Sequence, residues 1–251
     1  MKQKHYQGTF LSFLFIVLIY FFTRSHYGLF SWCLLGLLLL VAFLREENRL
    51  FAWVMIAFFG GSFVLFYIDK FIEGSPLTPY YRVIISQLML SFPALSMVYV
   101  IRKFNKEVSF FFKIPELTER FANIKVLSIF LFMITGIFLL ISSLAGFRIS
   151  LPLILFILVH VFLQEMIWRG ILLTQLIQIT NEKMAVLISG LSYALNTTIF
   201  GYSLGVFLLY LTLGFLLALL TTKFKSILIS ISSHIFVLLF IFLNGWLRLP
   251  I

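Results

Sequence analysis

The chain has 251 residues, 62% of them hydrophobic, well above the roughly 45–50% of a soluble domain, which excludes an ordinary globular protein. Its formal net charge of +10 rests on 19 Lys and Arg scattered through short polar breaks, a distribution that fits the positive-inside bias of a membrane protein better than nucleic-acid binding. The single cysteine, Cys33, excludes a disulfide framework and a cysteine-based metal site.

Apolar runs of near-membrane length, separated by polar breaks, predict about nine transmembrane helices. They lie at 8–22, 29–44, 50–68, 83–101, 126–145, 149–178, 184–199, 202–222 and 226–246. Runs this long are too extended for barrel strands, so the predicted fold is all-α, a polytopic transmembrane helix bundle of about eight or nine spans. The seventh and eighth spans are short and nearly continuous, which leaves the count between those two numbers. The opening MKQKHY has the charge of a signal peptide's start. No small-residue cleavage site follows, so the first run is expected to be a retained span.

Alternating the spans with the N-terminus inside places Lys2, Lys4, Arg45, Arg49, the basic residues of 102–125, Lys183, Lys223 and Lys225 on the inner side. Arg24, Lys70, Arg82, Arg148 and Arg248 fall outside. That bias predicts a multi-pass cell-membrane protein with a cytoplasmic N-terminus. The loop 102–125 carries basic residues around Phe110, Phe111 and Phe112. It suits either a segment lying on the headgroup surface or an ordinary basic inner loop. It divides the chain into N-terminal helices (1–101), the loop itself and a C-terminal transmembrane core (126–251). In the front part Asp69 and Lys70 sit at a span end, so the chemistry is expected in the back.

The densest polar stretch is VHVFLQEMIWRG, Val159 to Gly170. A charged side chain at the centre of a bilayer helix costs roughly 2.5–3.5 kcal/mol, so Glu165 and Arg169 must be paired, wetted or used. They are four residues apart, acidic member first, and share a helix face. Gln164 lies about 100° from Glu165, and His160 one turn before Gln164. Two later helices can converge on this face. The seventh span places Ser192 and Asn196 on one line and Tyr193 and Thr197 on the next, and the last span carries His234 after Ser232 and Ser233. Gly190, Gly205 and Gly214 would let those helices approach closely.

QEMIWRG, a glycine-containing span and then KSILISISSH resemble the CPBP family of intramembrane proteases, also called the Abi or CAAX-protease family. The resemblance covers about 149–246 and implies a four-helix catalytic core in the C-terminal half. The family motifs are E-E-x-x-x-R-G, F-x-x-x-H and a distal His followed four residues later by Asn or Asp. Against them, the first Glu, which resembles the general base, is Gln164; an amide cannot take a proton from water. Glu165, Arg169 and Gly170 are kept, in positions that look structural and orienting. The second-motif His falls on Thr197 if Tyr193 stands for the Phe, or on Asn196 if Ser192 does. The distal His is His234, while its Asn partner falls on Leu238, which cannot donate to an oxyanion.

These replacements imply a CPBP-like membrane protein that is proteolytically inactive or weakened. It would bind another membrane or envelope protein as a scaffold, regulator or immunity factor in a bacterial envelope, with the bilayer as its medium and no nucleic acid as a partner. The alternative is an active endopeptidase that cleaves peptide substrates near the cytoplasmic face, with Glu165 and His234 as catalytic residues. His160 fits core packing, or a helper role beside Glu165 and His234. Those three would also make an open zinc set, although His160 and Glu165 lie about 140° apart on a straight helix; no cofactor is expected. A transporter with broken helices has only Pro152 in its favour. Counting 1.5 Å per residue from 149 puts Glu165 roughly 24 Å along the sixth span, so the polar cluster is expected in the inner half, open toward the cytoplasm.

Overall fold

The computed structural model describes residues 2–24, 28–44, 46–107, 150–197 and 203–246, with 133, 135, 136 and 201 besides. The described residues are almost wholly helical. The helices are α1 Lys2–Arg24, α2 Leu29–Leu44, α3 Glu46–Glu73, α4 Pro79–Met89 and α5 Ser91–Lys103, then α6 Leu151–Glu165. A π-helical turn over Met166–Leu172 joins α6 to α7 Leu173–Ile179. The last three are α8 Glu182–Asn196, α9 Leu204–Phe224 and α10 Ile227–Leu243.

By length and composition Gln7–Arg24, Asn48–Glu73, Pro79–Lys103, Leu151–Ile179 and Leu204–Phe224 can each cross a membrane, and Leu29–Leu44 and Ile227–Leu243 are shorter apolar helices. The predicted bundle is present. Apart from 133, 135 and 136, the fifth span, 126–145, lies outside the described residues, as does the 102–125 loop beyond residue 107. The fourth span is two helices that meet at Leu90, followed by Pro93 in the first turn of α5. A proline there cannot donate back to Met89 across the junction, so the two helices do not run on as one.

Helix starts follow local capping chemistry. Ser150, Asn181, Ser203 and Ser226 each accept the N–H of Leu153, Met184, Val206 and Leu228 respectively, which satisfies otherwise orphaned donors. Between α9 and α10 the chain reverses at Lys225, whose φ of 54° is left-handed. Glycines set the closest crossings. A Cβ on Gly8 would lie 1.8 Å from the Ile179 carbonyl, and one on Gly214 would lie 2.7 Å from that of Gly190, so α1–α7 and α8–α9 pack almost backbone to backbone.

These contacts fix a common polarity. The start of α1 meets the end of α7, and Thr23, at the end of α1, donates to the Leu195 carbonyl near the end of α8. One end of the bundle therefore holds the start of α1, the α7–α8 turn and the α9–α10 turn. The other holds the end of α1, the α3–α4 turn and the start of α6.

Candidate functional site

The polar residues of the sixth span do not form one face. They separate into two layers, one sealed in the core and one on a cavity.

The sealed layer is built on Glu165, Arg169 and His234, each fully buried. Arg169 Nη1 lies 3.3 Å from Glu165 Oε1, the ion pair that the i,i+4 spacing predicts. The same carboxylate oxygen meets Nδ1 of His234 at 2.8 Å. Nε2 of His234 lies 3.4 Å from the Tyr193 hydroxyl, so Nδ1–H donating to the carboxylate leaves Nε2 to accept from the hydroxyl. Arg169 also donates through Nη2 to the Gly214 carbonyl at 3.2 Å, and its guanidinium lies 4.2 Å from the Tyr193 ring centroid. Four segments thus converge on one charge pair: the end of α6 with its π turn, α8, α9 and α10. Gly214 makes this possible, since a side chain there would meet both the Gly190 carbonyl and the Tyr193 ring.

The π turn positions Arg169. Leu173 N–H donates to the Trp168 carbonyl five residues back, which adds a residue to the turn and shifts the phase of α7 relative to α6. Nothing in the apolar pattern of MIWRGIL signals this. Gly170 lies within the turn, and its carbonyl accepts the Thr174 hydroxyl at 2.9 Å.

The second layer lines a cavity of about 580 Å³. From the back of the chain come His160, Gln164, Trp168, Asn196 and Thr197. Gln164 Oε1 makes no hydrogen bond among the described residues. Asn196 ends α8 and Thr197 caps it, so both candidates for the second-motif position reach the cavity. His160 joins the two layers. It stacks on Phe156 at 5.3 Å, its ring lies 6.1 Å from that of His234, and its Nδ1 is 2.7 Å from Gln87 Oε1. Among the described residues no group of three His, Cys, Asp or Glu is placed to hold a metal ion.

Two features differ from the sequence expectation. The chemistry is not confined to the back of the chain, because Ser62, Asp69, Glu73, Arg82, Ser86 and Gln87 of α3 and α4 form the opposite wall. Gln87 and Asp69 look unremarkable in sequence because only the apposition of α3 and α4 with α6 gives them a polar neighbour. The opening also differs. The cavity runs to the α3–α4 turn, where Glu73 and Pro79 are exposed, away from the end that carries Lys183, Lys223 and Lys225. Glu165 is the last residue of α6, midway along the 151–179 span, but distance along the helix says nothing of access, because Glu165 is sealed while its neighbour Gln164 lines the cavity. With a cytoplasmic N-terminus this opening faces away from the cytoplasm.

Leu238, at the distal Asn position, is fully buried in an apolar cluster with Phe156, Ile157, Val161 and Leu239, remote in character from any oxyanion site. Ser192, on the other hand, is buried with a hydroxyl that makes no hydrogen bond among the described residues, and it does not line the cavity.

Residues 146–240 match the family model described as Type II CAAX prenyl endopeptidase Rce1-like. No curated protein and no solved structure matches the chain. The matched segment contains α6 to α9 and most of α10, which are the helices that build the sealed layer and the back wall of the cavity. With its apolar helices and this match over 146–240, the chain is a CAAX-protease-like, multi-pass membrane protein.

Proposed function

We propose that this protein uses the cavity to bind a membrane-embedded or membrane-proximal peptide partner without cleaving it, as a scaffold, regulator or immunity factor in a bacterial envelope. One observation carries the reading. The positions that face the cavity are Gln164 and Asn196 or Thr197, where the family resemblance expects a Glu and a His, while the sealed Glu165, Arg169 and His234 are kept. An amide pair can donate to and accept from a peptide bond, but neither can take a proton from water. The fold is retained and the base is absent. The basic residues gathered at the end that holds the start of α1 support an N-terminus in the cytoplasm.

The alternative, an active endopeptidase, draws on the 2.8 Å contact between Glu165 and His234, an acid–imidazole pair of the kind used in general-base catalysis. Against it, both residues are fully buried and His234 has a partner on each ring nitrogen. The two readings part in a proteolysis assay in liposomes with CAAX-type peptides. Wild type is expected to leave the peptides intact, and Gln164→Glu combined with Asn196→His or Thr197→His to gain cleavage. Cleavage by wild type that is abolished in Glu165→Gln at normal protein level establishes the endopeptidase instead.

A further inference from the structure

Three buried polar atoms on the cavity wall make no hydrogen bond among the described residues. Gln164 Oε1 and Asp69 Oδ1 are two of them. The third is Arg82 Nε; Gln87, only 7% exposed, has one end of its amide held by His160. Buried polar groups are nearly always satisfied, so such a concentration in one cavity marks a place where a ligand supplies the partners.

Two of the three are pure acceptors, and one is a carboxylate. Asp69 lies in an apolar helix with the Ser86 hydroxyl beside it and the Glu73 carboxylate as its charged neighbour, and it forms no ion pair among the described residues. Arg82, the cation on this wall, turns Nη1 to the Glu73 carbonyl at 2.9 Å. The wall therefore carries two carboxylates against one guanidinium. The deep end is neutral, with Gln87, Gln164, Asn196 and Thr197, and Phe22, Phe58, Phe66 and Trp168 supply the apolar flanks. From Ser62 to Glu73 the α3 wall is about 16 Å long at 1.5 Å per residue, the reach of four or five extended residues at about 3.3–3.6 Å each.

We propose that the α3–α4 wall is a recognition subsite for a protonated primary amine, carried on an otherwise apolar ligand whose amide-bearing part reaches Gln164 and Asn196. This rests on the reading of the cavity as a binding site and adds what selects the occupant. Asp69 accepts from the ammonium, and the aromatic flanks hold the chain. The wall lies outside the matched 146–240 segment, so it belongs to this protein's own front helices. A lysine side chain and a single-chain amine amphiphile share this chemistry.

The test is calorimetric titration of the full chain in nanodiscs with three probes. They are a capped pentapeptide of one lysine among leucines, its Nε-acetyl-lysine twin, and octylammonium. Wild type is expected to bind the lysine peptide at least about tenfold more tightly than its twin, the scale of a charge-assisted hydrogen bond. Asp69→Asn is expected to erase that preference, Asp69→Glu to keep it, and Arg82→Gln to widen it. Octylammonium bound with the same dependence on Asp69, in the absence of peptide binding, keeps the amine subsite and assigns it to an amphiphile. Equal binding of the twins by wild type, or a preference that survives Asp69→Asn, overturns the subsite while leaving peptide binding in place. Binding of none of the three probes overturns both.

Discussion

Arg169 shows how a buried charge can be tolerated in an apolar bundle. Its guanidinium is shared among the Glu165 carboxylate, the Gly214 carbonyl and the Tyr193 ring, so three helices besides its own turn compensate its removal from water. Taking away one partner leaves the other uncompensated, at about 3–5 kcal/mol. Glu165→Ala and Arg169→Ala are therefore expected to lower membrane levels sharply, read by blot. Arg169→Lys is expected to rescue only in part, since an ammonium lacks the fork that reaches Glu165 and Gly214 together. Full recovery with lysine would reduce Arg169 to a point charge. The ion pair is legible in the sequence because i,i+4 geometry is local. The separation of Gln164 from Glu165 is legible only as an angle of about 100°, since which side is core and which is cavity depends on α3, α4 and α10. Asp69 and Gln87 could not be read at all, because their partners are residues of other helices that packing alone brings near.

Among the helices, close crossings decide which substitutions the bundle bears. Gly214→Val and Gly8→Val place side-chain atoms against the carbonyls of Gly190 and Ile179, with only backbone to give way. Both are expected to reduce yield and thermal stability. A Cβ on Gly36 or Gly60 meets nothing within 4 Å, and alanine there is expected to be neutral or to stabilise by roughly 0.5–1 kcal/mol through helix propensity. Thermal unfolding in detergent checks the pair; a Gly214→Val protein as stable as wild type would mean that α8 and α9 are not held at this distance. Most helices were legible from apolar runs and their caps. The break at Leu90 and the π turn were not, because a single residue gained or lost in a turn leaves hydrophobicity unchanged while it rotates everything downstream.

For the whole molecule, the bundle directs its cavity toward the α3–α4 turn. In a Cys33→Ser background, cysteines at Ser62 and Ser86 are expected to react with a membrane-impermeant thiol reagent added on the side of that turn. Thr174→Cys, buried in α7, is expected to stay unlabelled from either side. Labelling of Ser62→Cys only from the side of the start of α1 would place the entrance at the wrong end. Hydropathy gives the bundle and its membrane setting, but the side on which a cavity opens depends on how helices splay, and no linear pattern encodes that.

The central claim is the division of the polar residues into a sealed layer that holds the fold and a cavity layer that serves function. Thermal unfolding of purified variants tests it most directly. Glu165→Ala, Arg169→Ala and His234→Ala are expected to fall by several degrees, since about 3 kcal/mol corresponds to roughly 6–12 °C in a chain of this size. Gln164→Leu and Asn196→Leu are expected to stay within about 2 °C of wild type, because their side chains face open space and not the core. If the cavity variants unfold as early as the sealed ones, or if the sealed residues can be truncated without loss, the two layers are one and the account fails.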